Sequence, residues 1–99
     1  MELIFTWDAK KAKAKRQKHK VSFEEAKTLF NDPLLLTFLD EEHSVKEERF
    51  ISIGSSSRGR ILLVVHTEQK EDENSLIIRL ISYRKATALE RRTYEEGEN

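Results

Sequence analysis

RFISIG (49–54), SSSRGR (55–60), ILLVVHTE (61–68), a charged break ending at Asn74, and SLIIRLISYR (75–84) form the stretch that decides the fold. The apolar, β-branched runs predict three strands of one sheet. Gly54 to Gly59 (GSSSRG) suits a hairpin connection, and Glu68 to Asn74 (EQKEDEN) reads as a second, solvated connection. Closely spaced turns favour antiparallel neighbours. Strand alternation puts Arg60, Leu62, Val64 and His66 on one face, and Ile61, Leu63, Val65 and Thr67 on the other. Both sets are apolar in the middle. This predicts a central strand covered on both sides, with polar function at its ends, Arg60 and His66. In the last run Arg79 shares a face with Ile77, Ile81 and Tyr83, while Ser82 and Arg84 point the other way. An arginine inside an apolar run requires an anionic partner, either a glutamate of the chain or a ligand in a solvated groove.

Working outward, Leu3 to Trp7 reads as a first strand, and Asp8 as the N-cap of a helix over the next twelve residues. Ala9, Ala12, Arg16 and His19 would pack. Lys11, Lys15 and Lys18 form a second stripe, read as either a solvated face or a phosphate-facing one. Ser22 and Glu25 have capping-box spacing, and Phe23, Ala26, Leu29 and Phe30 recur at helical spacing until Asn31-Asp32-Pro33 stops the helix. Leu34 to Leu39 reads as a strand and Asp40 to Lys46 as a charged turn. Thr87 with Glu90 caps a last helix ending near Gly97. The expectation is one α+β domain over residues 1–99. It has an antiparallel sheet packed by two N-terminal helices and one C-terminal helix, in the order β-α-α-β-β-β-β-α.

Net charge is zero but segregated: residues 1–20 carry seven basic and two acidic side chains, and residues 21–50 carry three and eight. The basic first fifth permits nucleic-acid contact. There is no cysteine, which excludes disulfides, thiol nucleophiles and Cys-based zinc sites and fits a reducing cytosol. No apolar run approaches the roughly 18 residues of a membrane span. His19, His43 and His66 lack metal-ligand spacing, and no phosphate-binding glycine loop or nucleophile elbow occurs, so no cofactor or metal is expected. The residue types present suit metal-free chemistry on a phosphodiester. RNA supplies its own 2′-hydroxyl nucleophile, and a protein then needs proton-transfer groups and cations. Of the three histidines, His66 sits in company with arginines and is the acid–base choice.

The ordered set W-D-x-x-K-A (7–12), K-H-x-V-S-F-E-E-A (18–26), D-P (32–33), H-S-x-x-E-E-R (43–49), G-x-S-x-R-G-R (54–60) and I-I-R-x-I-S-x-R-x-A-T (77–87) resembles the BrnT family. These are ribonuclease toxins of type II toxin–antitoxin pairs. The resemblance implies a RelE-like α+β fold, metal-independent RNA cleavage that slows translation in the cytoplasm, and a BrnA-type antitoxin. That antitoxin would bind the toxin and itself carry the DNA-binding function. Arg60, Arg79 and Arg84 would then hold the scissile phosphate and His66 would transfer the proton. Lys11, Lys15, Lys18, Arg49, Arg58 and Tyr83 would contact RNA. Three departures stand out. Lys20 occupies a position where family members usually carry glycine, Lys15 one where asparagine is often found, and Tyr83 one where a small residue is common. The rival expectations are a non-catalytic module that docks a basic chain on its sheet and its acidic 40–48 segment, and an inactive toxin remnant. One geometric difficulty is built in: Arg79 and Arg84 reach the same side only if a bulge interrupts the strand.

Overall fold

The computed structural model describes residues 1–7 and 20–97. The helix expected after Asp8 therefore lies outside the described residues, as do Lys11, Lys15, Lys18 and His19. Five strands, β1 (Glu2–Thr6), β2 (Leu36–Leu39), β3 (Phe50–Ser55), β4 (Ile61–Asp72) and β5 (Ser75–Lys85), join one sheet in the order β1-β5-β4-β3-β2. Two helices are described, α1 (Phe23–Lys27), continued by a 3-10 turn at Thr28–Asn31, and α2 (Ala88–Glu96).

The sheet is mixed rather than antiparallel. β2, β3, β4 and β5 pair antiparallel as expected, but β1 lies parallel to β5, with Ile4 opposite Ile77. No tight turn links these two strands, so nothing local fixes their relative direction. A second correction concerns Glu68–Asn74. This segment is mostly strand: β4 runs on to Asp72, and the turn is confined to Glu73 and Asn74, where the Asn74 amide donates to Asp72 Oδ1 at 2.8 Å. Its charges project from the solvent-exposed end of a long hairpin.

One sheet face is covered by α1 and its continuation. Val21, Phe23, Ala26 and Leu29 pack on Leu62, Val64, Ile78, Leu80 and Tyr83. A five-residue helix is unstable alone. Burial holds it here, at roughly 1.5–3 kcal/mol for each large apolar side chain. Trp7 stacks on Phe23 with ring centroids 3.9 Å apart, which ties β1 to the helix. The opposite face is covered in part. α2 contacts β3, and Ile53 and Leu63 are buried, while Ile4, Ile51, Val65 and Ile77 remain half-buried and Phe38 exposed. Lys20 has φ +56°, a left-handed conformation that costs a lysine about 1 kcal/mol.

Candidate active site

Side-chain pairs between the sequence motifs organise the charged residues. Ser22 caps α1 by accepting from the Glu25 amide at 3.0 Å, but the Glu25 carboxylate does not complete a capping box. It turns instead to the 56–60 turn. Arg60 Nε donates to Glu25 Oε2 at 2.9 Å, Arg60 Nη2 donates to Oε1, and Ser56 Oγ donates to Oε2 at 2.6 Å. Arg60 also donates to the Lys20 carbonyl at 3.1 Å. The Arg60 guanidinium holds the Glu25 carboxyl below the usual range, and Glu25 in turn raises Arg60. Arg58 sits 3.8 Å from the same carboxylate, two-thirds exposed. This cluster lies on the helix side of the sheet, and Arg60 is committed to holding the turn against α1.

Arg79 and Arg84 lie on the opposite face. β4 and β5 pair Val65 with Ser82 but His66 with Leu80, so Ile81 is an extra residue in β5. This bulge reverses the alternation. Arg84 then sits opposite Leu63, and Arg79 opposite Thr67. Leu63 and Thr67 share a face of β4, so both arginines project from it, separated by four residue steps, roughly 13 Å. The three arginines expected to hold one phosphate therefore divide, Arg60 on one side and Arg79 with Arg84 on the other. Arg84 forms a two-bond fork with Glu90 of α2, at 2.7 and 2.9 Å, which holds the Glu90 carboxyl down at about 2. Glu90 also completes the capping box with Thr87. Arg79 pairs with Glu47, and these two side chains are 48% and 47% exposed. The contrast with Arg60–Glu25 at 22% and 5%, and Arg84–Glu90 at 38% and 23%, marks Arg79–Glu47 as the most solvent-open of these pairs.

His66 is not at a strand end. It is fully buried in the middle of β4, with Phe30 edge-on at 5.0 Å and Phe50 stacked at 5.9 Å. Its Nε2 lies 2.7 Å from Ser52 Oγ, which lies 2.8 Å from Thr37 Oγ1. This hydrogen-bonded line joins β4, β3 and β2. Burial lowers the imidazole to about 4, so it is neutral at pH 7, and its Nδ1 has no hydrogen-bond partner. A side chain sealed in this way cannot reach a substrate proton in this conformation, so the acid–base reading of His66 is corrected to a structural one. Tyr83 is also buried, with its hydroxyl unpartnered, and cannot stack on a base. Its ring covers the sheet under α1. Arg49 is half-buried, and its amide donates to Ser44 Oγ at 3.0 Å.

Sequence reasoning treated Glu25 as a cap and Asp32 as part of a helix stop, and gave none of Asp32, Glu47 and Ser56 a place in the active site. Asp32 Oδ2 accepts from the Ser55 amide at 2.8 Å and from Tyr94 Oη at 2.6 Å, docking α2. Burial opposes ionisation of Asp32, but those donors and the Leu34 amide outweigh it and hold the carboxyl low, while Tyr94 is pushed up to about 12. The adjoining open cavity of about 320 Å³ is lined by Thr28, Asn31, Asp32, Ser55, Ser56 and Ser57. Among the described residues its lining is polar and includes the Asp32 carboxylate. For Glu25 and Glu47 the signal was an acid in one motif paired with an arginine in another, whereas Asp32 and Ser56 meet neutral donors or a carboxylate and left no such signal. No cluster of three or more metal-ligating side chains occurs among the described residues.

A family model described as "Ribonuclease toxin, BrnT, of type II toxin-antitoxin system" matches residues 7–90. Among curated proteins none matches. A crystal structure of the Brucella abortus ribonuclease toxin BrnT is similar in fold, with a TM-score of 0.62 and 19% sequence identity over 88% of this chain and 99% of that one. At that identity the likeness speaks to the fold. The family match, which spans most of the chain, shows that this protein belongs to the BrnT family of ribonuclease toxins of type II toxin–antitoxin systems.

Proposed function

We propose that this chain is a metal-independent endoribonuclease that slows translation in the cytoplasm until a BrnA-type antitoxin neutralises it, and that RNA is cleaved on the open sheet face at Arg79 and Glu47. The observation that carries the site is the exposure of this one motif pair, set beside the apolar floor of Ile51, Val65 and Ile77. In the proposed step the Glu47 carboxylate takes the proton of a ribose 2′-hydroxyl. The 2′-oxygen bonds to the adjacent phosphorus, the bond to the 5′-oxygen breaks, and that oxygen is protonated by water. The products are a 2′,3′-cyclic phosphate and a 5′-hydroxyl. Arg79 neutralises the charge that builds on the phosphoryl oxygens, a role suited to its planar fork. Arg84, on the same face, extends the basic surface toward neighbouring phosphates, while Arg58 lies with Glu25 on the other side of the sheet. Single-stranded bases can lie over the exposed Phe38 ring at the edge of the same face.

The test is incubation of purified protein with RNA in EDTA, together with growth after induction. The expected result is cleavage unchanged by EDTA, cyclic-phosphate ends, and growth arrest. Intact RNA at high protein concentration, or cleavage abolished by EDTA, would overturn the reading. Uninhibited growth would favour a binding module without catalysis.

A further inference from the structure

The β2 edge of the sheet carries an unused set of backbone hydrogen-bonding groups. Asp40 donates its amide to the Arg49 carbonyl at 2.7 Å, continuing the register in which Leu39 faces Phe50. In an antiparallel ladder the bonded residues alternate. Asp40, Phe38 and Leu36 therefore turn their amides and carbonyls to β3, and Thr37 and Leu39 turn theirs outward. β2 ends the strand order, so no strand among the described residues meets these groups. The side chains add to the exposure: Leu34 is 69%, Phe38 42% and Leu39 43% exposed. Edge strands are commonly blunted by lysine or by proline within the strand. Residues 34–39 contain neither, and Pro33 precedes them. The strand runs straight into Asp40, Glu41 and Glu42, with Glu47 and Glu48 on the return toward β3 and Lys46 and Arg49 as the cations of the segment.

We propose that β2 is the docking edge for an extended segment of a partner protein in which apolar residues alternate with lysine or arginine. The segment would add a sixth strand through the outward groups of Thr37 and Leu39, and its cations would meet the carboxylates of Glu41, Glu42 and Glu48. Charge complementarity selects this occupant. A second copy of this chain would offer its own Leu34–Leu39, which has no cation for those acids. RNA would bring phosphates to carboxylates. The proposal deepens the antitoxin reading by stating where and with what chemistry such a partner is held, and it does not depend on which residues cleave RNA.

The experiment is amide NMR of the full chain with an acetylated ten-residue peptide of alternating valine and lysine. The expected result is shifts concentrated at Leu36–Asp40, slowed exchange at the Thr37 and Leu39 amides, and little effect from an alternating glycine–lysine peptide. Leu39→Pro removes one outward amide without touching a bond to β3, and the double variant Glu41→Lys, Glu42→Lys reverses the local charge. Each is expected to weaken binding at least tenfold, with dispersed spectra showing that the fold persists. Equal binding of the glycine–lysine peptide, shifts centred elsewhere, or wild-type affinity in both variants would overturn the proposal. So would concentration-dependent protection of Thr37 and Leu39 without peptide, because that assigns the edge to a second copy. RNA cleavage measured on the same samples is independent. If it is absent throughout while the peptide still docks, the nuclease reading fails and this one stands.

Discussion

Lowering the pH from 7 to 5 probes His66. The folded protein holds this imidazole near 4 against an ordinary 6.5, because protonation would place a charge between Phe30 and Phe50. A depressed folded value means that the unfolded chain takes up the proton first. The stability that this neutral histidine contributes is complete above about pH 6.5 and is lost progressively as pH falls toward 4. Weighting both states by their protonation gives a loss of about 2 kcal/mol between pH 7 and 5. For a domain of this size that is a fall in Tm on the order of 10 °C. Glu90, held at about 2, loses its contribution mainly below pH 4.5, whereas Glu68, raised by burial, adds stability as pH falls. The histidine is therefore read from the difference between wild type and a variant that cannot titrate at position 66. Urea titrations at both pH values measure the difference. His66→Gln keeps a polar group for Ser52 and cannot titrate, and is expected to shrink the loss to a few tenths of a kcal/mol. If the variant keeps the full pH dependence, or wild type shows none, His66 is not a sealed neutral residue. The correction of its catalytic role would then fail as well.

Three further outcomes follow from packing and pairing. Glu25→Gln strips the buried partner from Arg60 and is expected to cost about 3 kcal/mol in chemical denaturation. Adding Arg60→Leu should recover part of it. Gly54→Ala places a methyl 2.7 Å from Leu35 Cδ1 and 3.2 Å from Asp32 Oδ2, inside the packed seam between β3 and the 3-10 turn. The expected loss is about 1–3 kcal/mol, read as a lower Tm. Tyr94→Phe removes the hydroxyl that α2 donates to Asp32, and no residue of α2 is buried. Amide exchange in residues 88–96 should accelerate at least tenfold, in keeping with about 1.5 kcal/mol for a hydrogen bond to a charged group.

The apolar runs made β3, β4 and β5 legible, and the spacing of Phe23, Ala26 and Leu29 made α1 legible, because burial writes a period into the sequence. The charged end of β4 was hidden because Glu68 to Asp72 buries nothing: pairing with β5 alone makes it a strand. The parallel docking of β1 was hidden because its partner lies some seventy residues away. The bulge at Ile81 left no signature, since the extra residue is as apolar as Leu80 before it and as any residue of a regular strand there would be. Yet it decides which arginines share a face, and so it decides the site. Glu25 shows the same limit in another form. Its capping-box spacing is genuine, but an arginine 35 positions away competes for the carboxylate and wins with a two-bond, largely buried pair. His66 was misplaced because a histidine followed by Thr and Glu resembles a strand terminus until the strand is seen to continue.

The most direct test of the Arg79–Glu47 site is the rate at which Arg79→Ala cleaves RNA in EDTA, relative to wild type. An exposed ion pair contributes about 0–1 kcal/mol to stability, so the variant should melt close to wild type. Losing a cation aimed at the transition-state charge should slow cleavage about 100-fold or more. Cleavage at the wild-type rate by a folded Arg79→Ala protein would contradict the account and move the active site away from the open face of the sheet.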